Sequence, residues 1–515
     1  MKRFAKVLLT LVVLIALALV GLQYYAQHRL QRLLAEEIPP YMQLSYGNAT
    51  VNILSMTVSL EMLSGKVLNR DSLPELEGSI EKLRLSGLGA WEFMVNDRIK
   101  IDKIELTTPH LTFYRDTAKT GKDTVHSSAK KPFDPISLGQ LVVSNGSVNY
   151  LRADSTIVRA DSIQISLQDI AVDAEILKKK IPFTYGSYHI SAKRFYVDLG
   201  PYEKLDMDKI DYANGDLRLL ALRLQSKYSK RELSKILPKE HDHFSLQIPE
   251  IHFQQITFGH QNDTFFLKSP MGNIKGPQLE IYRDKLVADD LTRKALYSQA
   301  LRELPIDLNL EEIRISDAFI GYEELVNAQT KAGRIYFDNV HATLNNISNT
   351  YGKGQKTTIV AKSLFMGNSP LELDWTFDTN DVSDRFSVRG SFTDFRPESV
   401  NSFLESNLRA RASGFVEKIY FTFGGNRITS TGDLKMKYND FDFQILKKDR
   451  LGVNKLLTVI GKIFVNDGSK TDAEGFRNGE IKVERDPTKS FFNYLWINVR
   501  DGMVSTLTGK AERKS

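Results

Sequence analysis

The chain has 515 residues, with 69 Lys plus Arg against 63 Asp plus Glu, a formal net charge of +6 at pH 7. That small basic excess is scattered rather than clustered, which argues against a nucleic-acid partner. No cysteine is present, so disulfides, thiolate zinc sites, iron–sulfur clusters and cysteine nucleophiles are excluded. With 42% hydrophobic and 26% charged residues the chain is globular, and 28 Phe and 20 Tyr against 3 Trp lean towards strands.

The first predicted element is a membrane anchor. Val7 to Leu22 is almost wholly apolar, and no Asp, Glu, Lys or Arg lies between Lys6 and Arg29. Such a run is about long enough to cross a bilayer core of roughly 30 Å. Lys2, Arg3 and Lys6 precede it and Tyr24-Tyr25 closes it, which favours a cytoplasmic N-terminus. A cleaved signal would need small residues at the end of the run. Here Ala16-Leu17-Ala18 lies inside it. The expectation is a single-pass, uncleaved anchor in residues 1–28, with the bulk of the chain outside the cytoplasm.

From Asn48 onward the dominant period is two, as in Val51, Ile53, Val58 and Leu60 and again in Ile80, Leu83 and Leu85. Alternation of this kind gives a sheet with one apolar and one polar face. Residues 117–131 are polar and read as a loop. A degenerate hairpin then recurs. Asn145-Gly146 predicts a type I′ turn that places Leu141, Val143, Val148 and Tyr150 on one side. Asn214-Gly215 does the same for Ile210, Tyr212, Leu217 and Leu219, with Asp211 facing Arg218 across the strands. The offsets repeat at Ile104, Leu106, Leu111 and Phe113, and at Ile313, Ile315, Ile320 and Tyr322. With a weaker turn they repeat at Ile251, Phe253, Phe258 and His260. Pro135-Ile136-Ser137-Leu138 is echoed by Pro305-Ile306-Asp307-Leu308. Helices are expected at Lys230 to Leu237 and Leu286 to Leu304. Two apolar helical stretches follow near the C-terminus, Leu456 to Val465 and Ser490 to Val499. In the second, Phe491, Phe492, Leu495, Trp496 and Val499 fall on one stripe between Lys489 and Arg500. That stripe reads either as a plug supplying core or as a membrane-contacting tip.

A one-sided sheet this wide must form a sandwich, close as a barrel, or curl around a content. An apolar concave face would suit acyl chains. The anchor, the strand pair Thr50 to Leu63, the hairpins, Ile428 to Leu446 with its Gly-x-Leu-x-x-x-Tyr, and Glu484 to Trp496 together resemble the AsmA-like family. These are bridge-like lipid transfer proteins of the bacterial envelope. The resemblance implies a protein of the bacterial inner membrane, its bulk in the periplasm. It would bind phospholipid in a groove, act in phospholipid transport between the two membranes, and meet the outer membrane or a partner there through its C-terminus. The expected fold is mainly β: a transmembrane helix (1–28), a repeating β-groove region of long curved antiparallel sheet with a few short helices (29–427), and a C-terminal region with terminal helices (428–515).

Motifs for catalysis are missing. The sequence has no Gly-x-Ser-x-Gly, no phosphate-binding Gly-x4-Gly-Lys-Ser/Thr and no His-Glu-x-x-His. His241, His243, His252 and His260 are the one concentration of imidazoles, and they read as ordinary surface and core residues rather than a metal site. Adjacent pairs such as Glu311-Glu312 face apart on a strand. A non-enzymatic protein without cofactor is expected. Two rivals to the groove are a periplasmic scaffold with a closed β core and an envelope enzyme using the histidines.

Overall fold

The period-two segments fold as long strands, and the chain is mainly β in the computed structural model. The structure describes residues 16–17, 19–32, 34, 38–69, 74–88, 99–115, 136–152, 155–172, 176, 183–352, 354–446 and 471–508. Most of the apolar run of the expected anchor, the loop at 117–131 and the stretch 456–465 lie outside these residues. Among the described residues no helix is long and apolar enough to cross a membrane. The chain divides into two compact units, one of residues 1–199 and 205–219, the other of 200–204 and 220–515.

The first ten strands are β1 (Met42–Ser45), β2 (Asn48–Asn52), β3 (Thr57–Leu68), β4 (Pro74–Leu88), β5 (Ile99–Thr107), β6 (His110–Arg115), β7 (Ile136–Arg152), β8 (Ser155–Val172), β9 (Tyr188–Asp198) and β10 (Glu203–Ala213). In the first unit β1 and β2 lie end to end along β3, and β5 and β6 end to end along β4. The order then continues through β7, β8 and β9. After β11 (Asp216–Ser226) come β12 (His243–Gln254), β13 (Thr257–Gln261), β14 (Thr264–Lys275), β15 (Gln278–Asp284), β16 (Asp307–Leu325) and β17 (Gly333–Ser348). They are followed by β18 (Thr357–Phe365), β19 (Ser369–Phe377), β20 (Phe386–Phe395), β21 (Ala410–Gly425), β22 (Thr429–Ile445) and β23 (Arg477–Glu484). In the second unit β12 pairs with β14 and β15, which run along β16, and β16 to β23 pair in sequence.

The pairing is mixed, which corrects the all-antiparallel expectation. β5 and β6 are parallel to β7, and β14 and β15 are parallel to β16. Parallel neighbours need a crossover. The two crossovers lead into β7 and β16, which is where the two Pro-Ile echoes stand.

Most of the expected hairpins are bulges. β7 is one strand of 17 residues and β16 one of 19. Asn145 (φ 54°) and Asp317 (φ 55°) are left-handed residues inside them. Register slips against the partner at both places. Asn-Gly suits a turn and a bulge alike, because both need a left-handed residue. Here pairing on both flanks keeps the strand running. One extra residue shifts the side-chain alternation by one. Leu141 and Val143 therefore still share a face with Val148 and Tyr150, although their parities differ. The bulges line up between neighbours: Met62, Thr108, Asn145, Ser162 and Arg194 all have φ near 50°. Bulges increase local twist and bend the strands. Asn214-Gly215 does form a turn, with φ 46° and 87°, between β10 and β11. Its expected charge pair does not form. Asp211 meets Lys209 at 2.6 Å and His189 at 3.3 Å, and Arg218 turns to Asp216 at 3.7 Å.

Helices are short until the last. Lys230–Ile236 is a helix with a Ser229/Glu232 capping box. The expected helix at 286–304 shrinks to Tyr297–Arg302. Upstream, Asp290 binds Thr292 and Lys239 through its side chain, so local side-chain bonds displace helical ones. The C-terminal helix spans Phe491–Thr508.

Two helices close exposed strand edges with side chains. From the helix at residues 19–32, Gln27 accepts from the Val51 amide at 2.8 Å and Gln23 from the Ile53 amide at 2.9 Å. The same two side chains donate to the Ala49 and Val51 carbonyls. Glutamines one helical turn apart thus supply the donor–acceptor pattern of a missing strand. On β23, Ser505 and Asp501 accept from the Glu480 and Lys482 amides, each at 2.9 Å. Capped edges resist pairing with another chain.

Deleting Asn145 is expected to put the halves of β7 out of phase and abolish a cooperative thermal transition in circular dichroism. Asn145→Gly keeps the left-handed residue and should leave stability unchanged or raise it by about 1 kcal/mol. A deletion variant that melts like the parent would refute the phase-setting role of the bulge.

Candidate functional site

Apolar side chains meet directly across the strands and form rows along one face of each unit. In the first unit one row runs Leu60–Leu83–Leu106–Val143–Ile165–Ile190. Another runs Val58–Leu85–Ile104–Leu141–Leu167–Tyr188. On the far side of the bulge a third joins Val67, Leu76, Phe113, Tyr150, Val158 and Val197. In the second unit a single row reads Phe253–Gly272–Ile313–Leu344–Ile359–Trp375–Val388–Phe423–Gly432–Ile481. The neighbouring row includes Ile251, Ile274, Ile315, Ala342, Ala361 and Leu373.

What differs between the units is cover. In the first unit Leu141, Val148, Tyr150, Ile210, Tyr212, Leu217 and Leu219 are all half-buried, and Val143 is buried. Phe113 remains 38% exposed. The cluster of buried residues among the described residues there is small: Leu138, Leu167 and Ile170, with Phe183 and Tyr188 against it. Tyr188 donates to Tyr212 at 2.7 Å. Burial and the Tyr188 hydroxyl push the Tyr212 pKa up. In the second unit Ile315, Ile320 and Tyr322 are half-buried and Ile313 buried. Towards β19–β23 the same face becomes a dry core under the C-terminal helix.

That helix divides the residues expected on one membrane-contacting stripe. Phe491 stacks on Trp375 with centroids 4.4 Å apart and is buried. Leu495 packs against the same core. Phe492 and Trp496 point outward, 64% and 44% exposed. The inward stripe is Phe491, Tyr494, Asn498, Gly502, Ser505 and Thr506. Membrane contact by Phe491 and Leu495 is therefore corrected: the strands beneath claim them. The polar members of that stripe are bonded, with Ser430 donating to Asn498 at 2.7 Å and Asn498 to the Tyr494 carbonyl.

The histidines have ordinary partners. His241 pairs with Glu203 at 2.5 Å, His243 meets the Tyr228 carbonyl at 3.1 Å, and His260 lies edge-on to Phe265. Burial lowers the His243 pKa. Among the described residues no three His, Asp or Glu side chains are grouped to hold a metal.

One feature escaped the sequence reading. Pro109-x-Leu-x-Phe-Tyr-Arg-Asp116 in and after β6 reappears as Pro277-x-Leu-x-Ile-Tyr-Arg-Asp284 in β15. Each copy runs parallel to the long strand that follows the crossover. Direct comparison of the two segments would have found this duplication without a structure. In the second copy Arg283 is largely buried and makes two bonds of 2.7 Å to Asp242. Burial alone would lower its pKa, but the Asp242 carboxylate outweighs burial and raises it.

No family model matches the chain, and comparison with curated proteins finds no match.

Gly479→Ala is expected to unseat the C-terminal helix. A Cβ there would lie 2.3 Å from Thr506 Oγ1 and 2.4 Å from the Gly502 carbonyl. The cost should be about 1–3 kcal/mol, read as a lower Tm with an early change in tryptophan fluorescence from Trp375. An unchanged melt would mean that the helix does not seat on β23.

Proposed function

We propose that the apolar face binds lipid acyl chains as a groove, and that the protein contributes to phospholipid transport between the inner and outer membranes of a bacterium. The observation that carries this reading is the incomplete cover of the apolar face of the first unit. In a dry sandwich the facing rows would be fully buried, with packing like that of an organic crystal. In the first unit most of them are half-buried along their whole length. Apolar surface left this way loses about 25 cal/mol per Å² of available stabilisation, which an acyl chain would restore. The resemblance to AsmA-like proteins points to the same content. On this reading Leu141, Val143, Val148, Tyr150, Ile210, Tyr212, Leu217, Leu219, Ile313, Ile315, Ile320 and Tyr322 line the groove. The N-terminal segment is a transmembrane helix holding the protein at the inner membrane, with the rest in the periplasm. Phe492 and Trp496 supply an outward apolar contact for a membrane or an outer-membrane partner.

A second reading is favoured by the closed core beneath the C-terminal helix, where Val388, Val416, Met436 and Ile481 are fully buried. A non-enzymatic assembly factor would need only such a core.

The two readings respond differently to a buried charge. An ion placed in a dry core costs several kcal/mol. Val388→Asp should therefore abolish folding and serves as the internal control. Ile315→Asp falls on the half-buried part of the face. It should leave the steady-state level of the protein near normal, strip co-purifying lipid detected by mass spectrometry, and weaken the outer membrane's barrier to a large antibiotic. Loss of the protein itself in Ile315→Asp would favour the closed scaffold. Normal level, normal lipid content and normal barrier together would sink the groove.

A further inference from the structure

We propose that the tip of the β2–β3 hairpin, carrying Leu54 and Met56, inserts into the same membrane that holds the N-terminal helix, and so seats the first unit with its apolar face starting at the lipid surface. This rests on the transmembrane reading of the N-terminal segment given above, and it names a second membrane contact, distant from that segment in sequence.

The edge bonds between helix and strand supply the argument. Gln27 binds the Val51 amide and the Ala49 carbonyl, and Gln23 binds the Ile53 amide and the Val51 carbonyl. A step of four residues on the helix, about 6 Å, thus matches a step of two on the strand, about 6.6 Å. The two elements run antiparallel in fixed register, so β2 leads towards the N-terminal end of the helix. Beyond Gln23 in that direction stand Leu22, Val20 and Leu19, all exposed, the last residues of the apolar run that begins at Val7. On the other side of Gln23 stand Tyr24 and Tyr25, also exposed, in the place of an interfacial aromatic belt. One strand step past Ile53 brings the hairpin tip level with about the second helical residue before Gln23, inside the end of the apolar run.

The chemistry of the tip suits lipid. Leu54 is 81% exposed and Met56 44%, so neither adds much to a core within the protein. From Ile38 to Leu60 the chain has no Asp, Glu, Lys or Arg, although 26% of all residues are charged. No formal charge enters the bilayer with the tip. Unpaired backbone groups are what keeps most turns out of lipid. Here the Ile53 amide donates to Gln23, the Ser55 amide to the Asn52 side chain at 2.9 Å, and the Met56 amide to the Ile53 carbonyl at 3.3 Å. The Ser55 and Thr57 hydroxyls bond each other at 2.9 Å. The apolar row Val58–Leu85–Ile104 begins two residues past Met56, so a seated tip brings that row to the lipid.

The absence of cysteine allows single labels in the full chain. Leu17→Cys, Leu54→Cys, Met56→Cys and Gln43→Cys each carry an environment-sensitive fluorophore. All four positions are exposed, so the labels disturb little packing. Gln43 lies on β1 at the far end of β3, about 30 Å from the tip. Each labelled chain is reconstituted in bilayers of phosphatidylethanolamine and phosphatidylglycerol, with and without lipid bearing a nitroxide on its acyl chain. Labels at Leu17, Leu54 and Met56 should each lose at least about half their emission to the nitroxide, and the label at Gln43 none. Quenching at Leu17 with none at Leu54 and Met56 would overturn the proposal and leave the anchor standing. No quenching at Leu17 would defeat the transmembrane reading itself, and insertion of the tip with it. Quenching at Gln43 equal to that at Leu54 would mean that the whole edge lies along the membrane, and would refute insertion by the tip.

Discussion

The rest of the structure depends on phase. A strand places successive side chains on opposite faces, so a slip of one residue turns an apolar row outward. Strands of 17 and 19 residues twist too much to stay in step with their neighbours unless the excess is taken up locally. Left-handed residues do so midway along the strands, and they do so in adjacent strands at adjacent positions. Thr108 is a β-branched residue at φ 49°, a backbone state that costs about 1–2 kcal/mol. The fold tolerates that cost because the apolar rows on both sides of the bulge then remain on a single face.

A sheet built this way has an apolar face and two open edges to dispose of. The edges are handled by side chains rather than by further strands. Gln23 and Gln27 occupy β2, and Asp501 and Ser505 occupy β23. The face is handled in two ways. Beneath the C-terminal helix it is filled by Phe491 and Tyr494 on Trp375, Phe386 and Val388. In the first unit no comparable cluster of buried residues is found among the described residues. The apolar face is therefore a packed core in the second unit and half-covered in the first.

The two copies of the Pro-x-Leu-x-x-Tyr-Arg-Asp segment share the bulge, the parallel pairing and the apolar row, and they differ at the charged end. One end is neutralised within the protein by Asp242, which takes Arg283 in two bonds. The other places Arg115 opposite Arg152 on adjacent strands. Duplication preserved what the backbone needs and left the rim free to diverge, because charged positions at the end of a strand do not set the register.

By itself the sequence determined the class of structure and the membership of the apolar face. Alternation at Val58, Leu60, Leu83, Leu85, Leu141 and Val143 is a local property, readable without knowing any partner. The capping box of the helix at Lys230–Ile236 is local for the same reason. The path of the chain was not legible. Asn145-Gly146 and Asn214-Gly215 present the same left-handed preference. One became a bulge because β6, β7 and β8 pair on through it, and the other became a turn, so neighbours distant in sequence decided between them. The same holds for the C-terminal helix, where periodicity put Phe491 and Phe492 on one stripe and only the strands beneath could select Phe491 for the core. Parallel pairing, edge capping by glutamines 22 to 30 residues away, and the placing of Arg115 opposite Arg152 on adjacent strands are products of register. Register is set by long-range hydrogen bonding, which no single segment of the sequence contains.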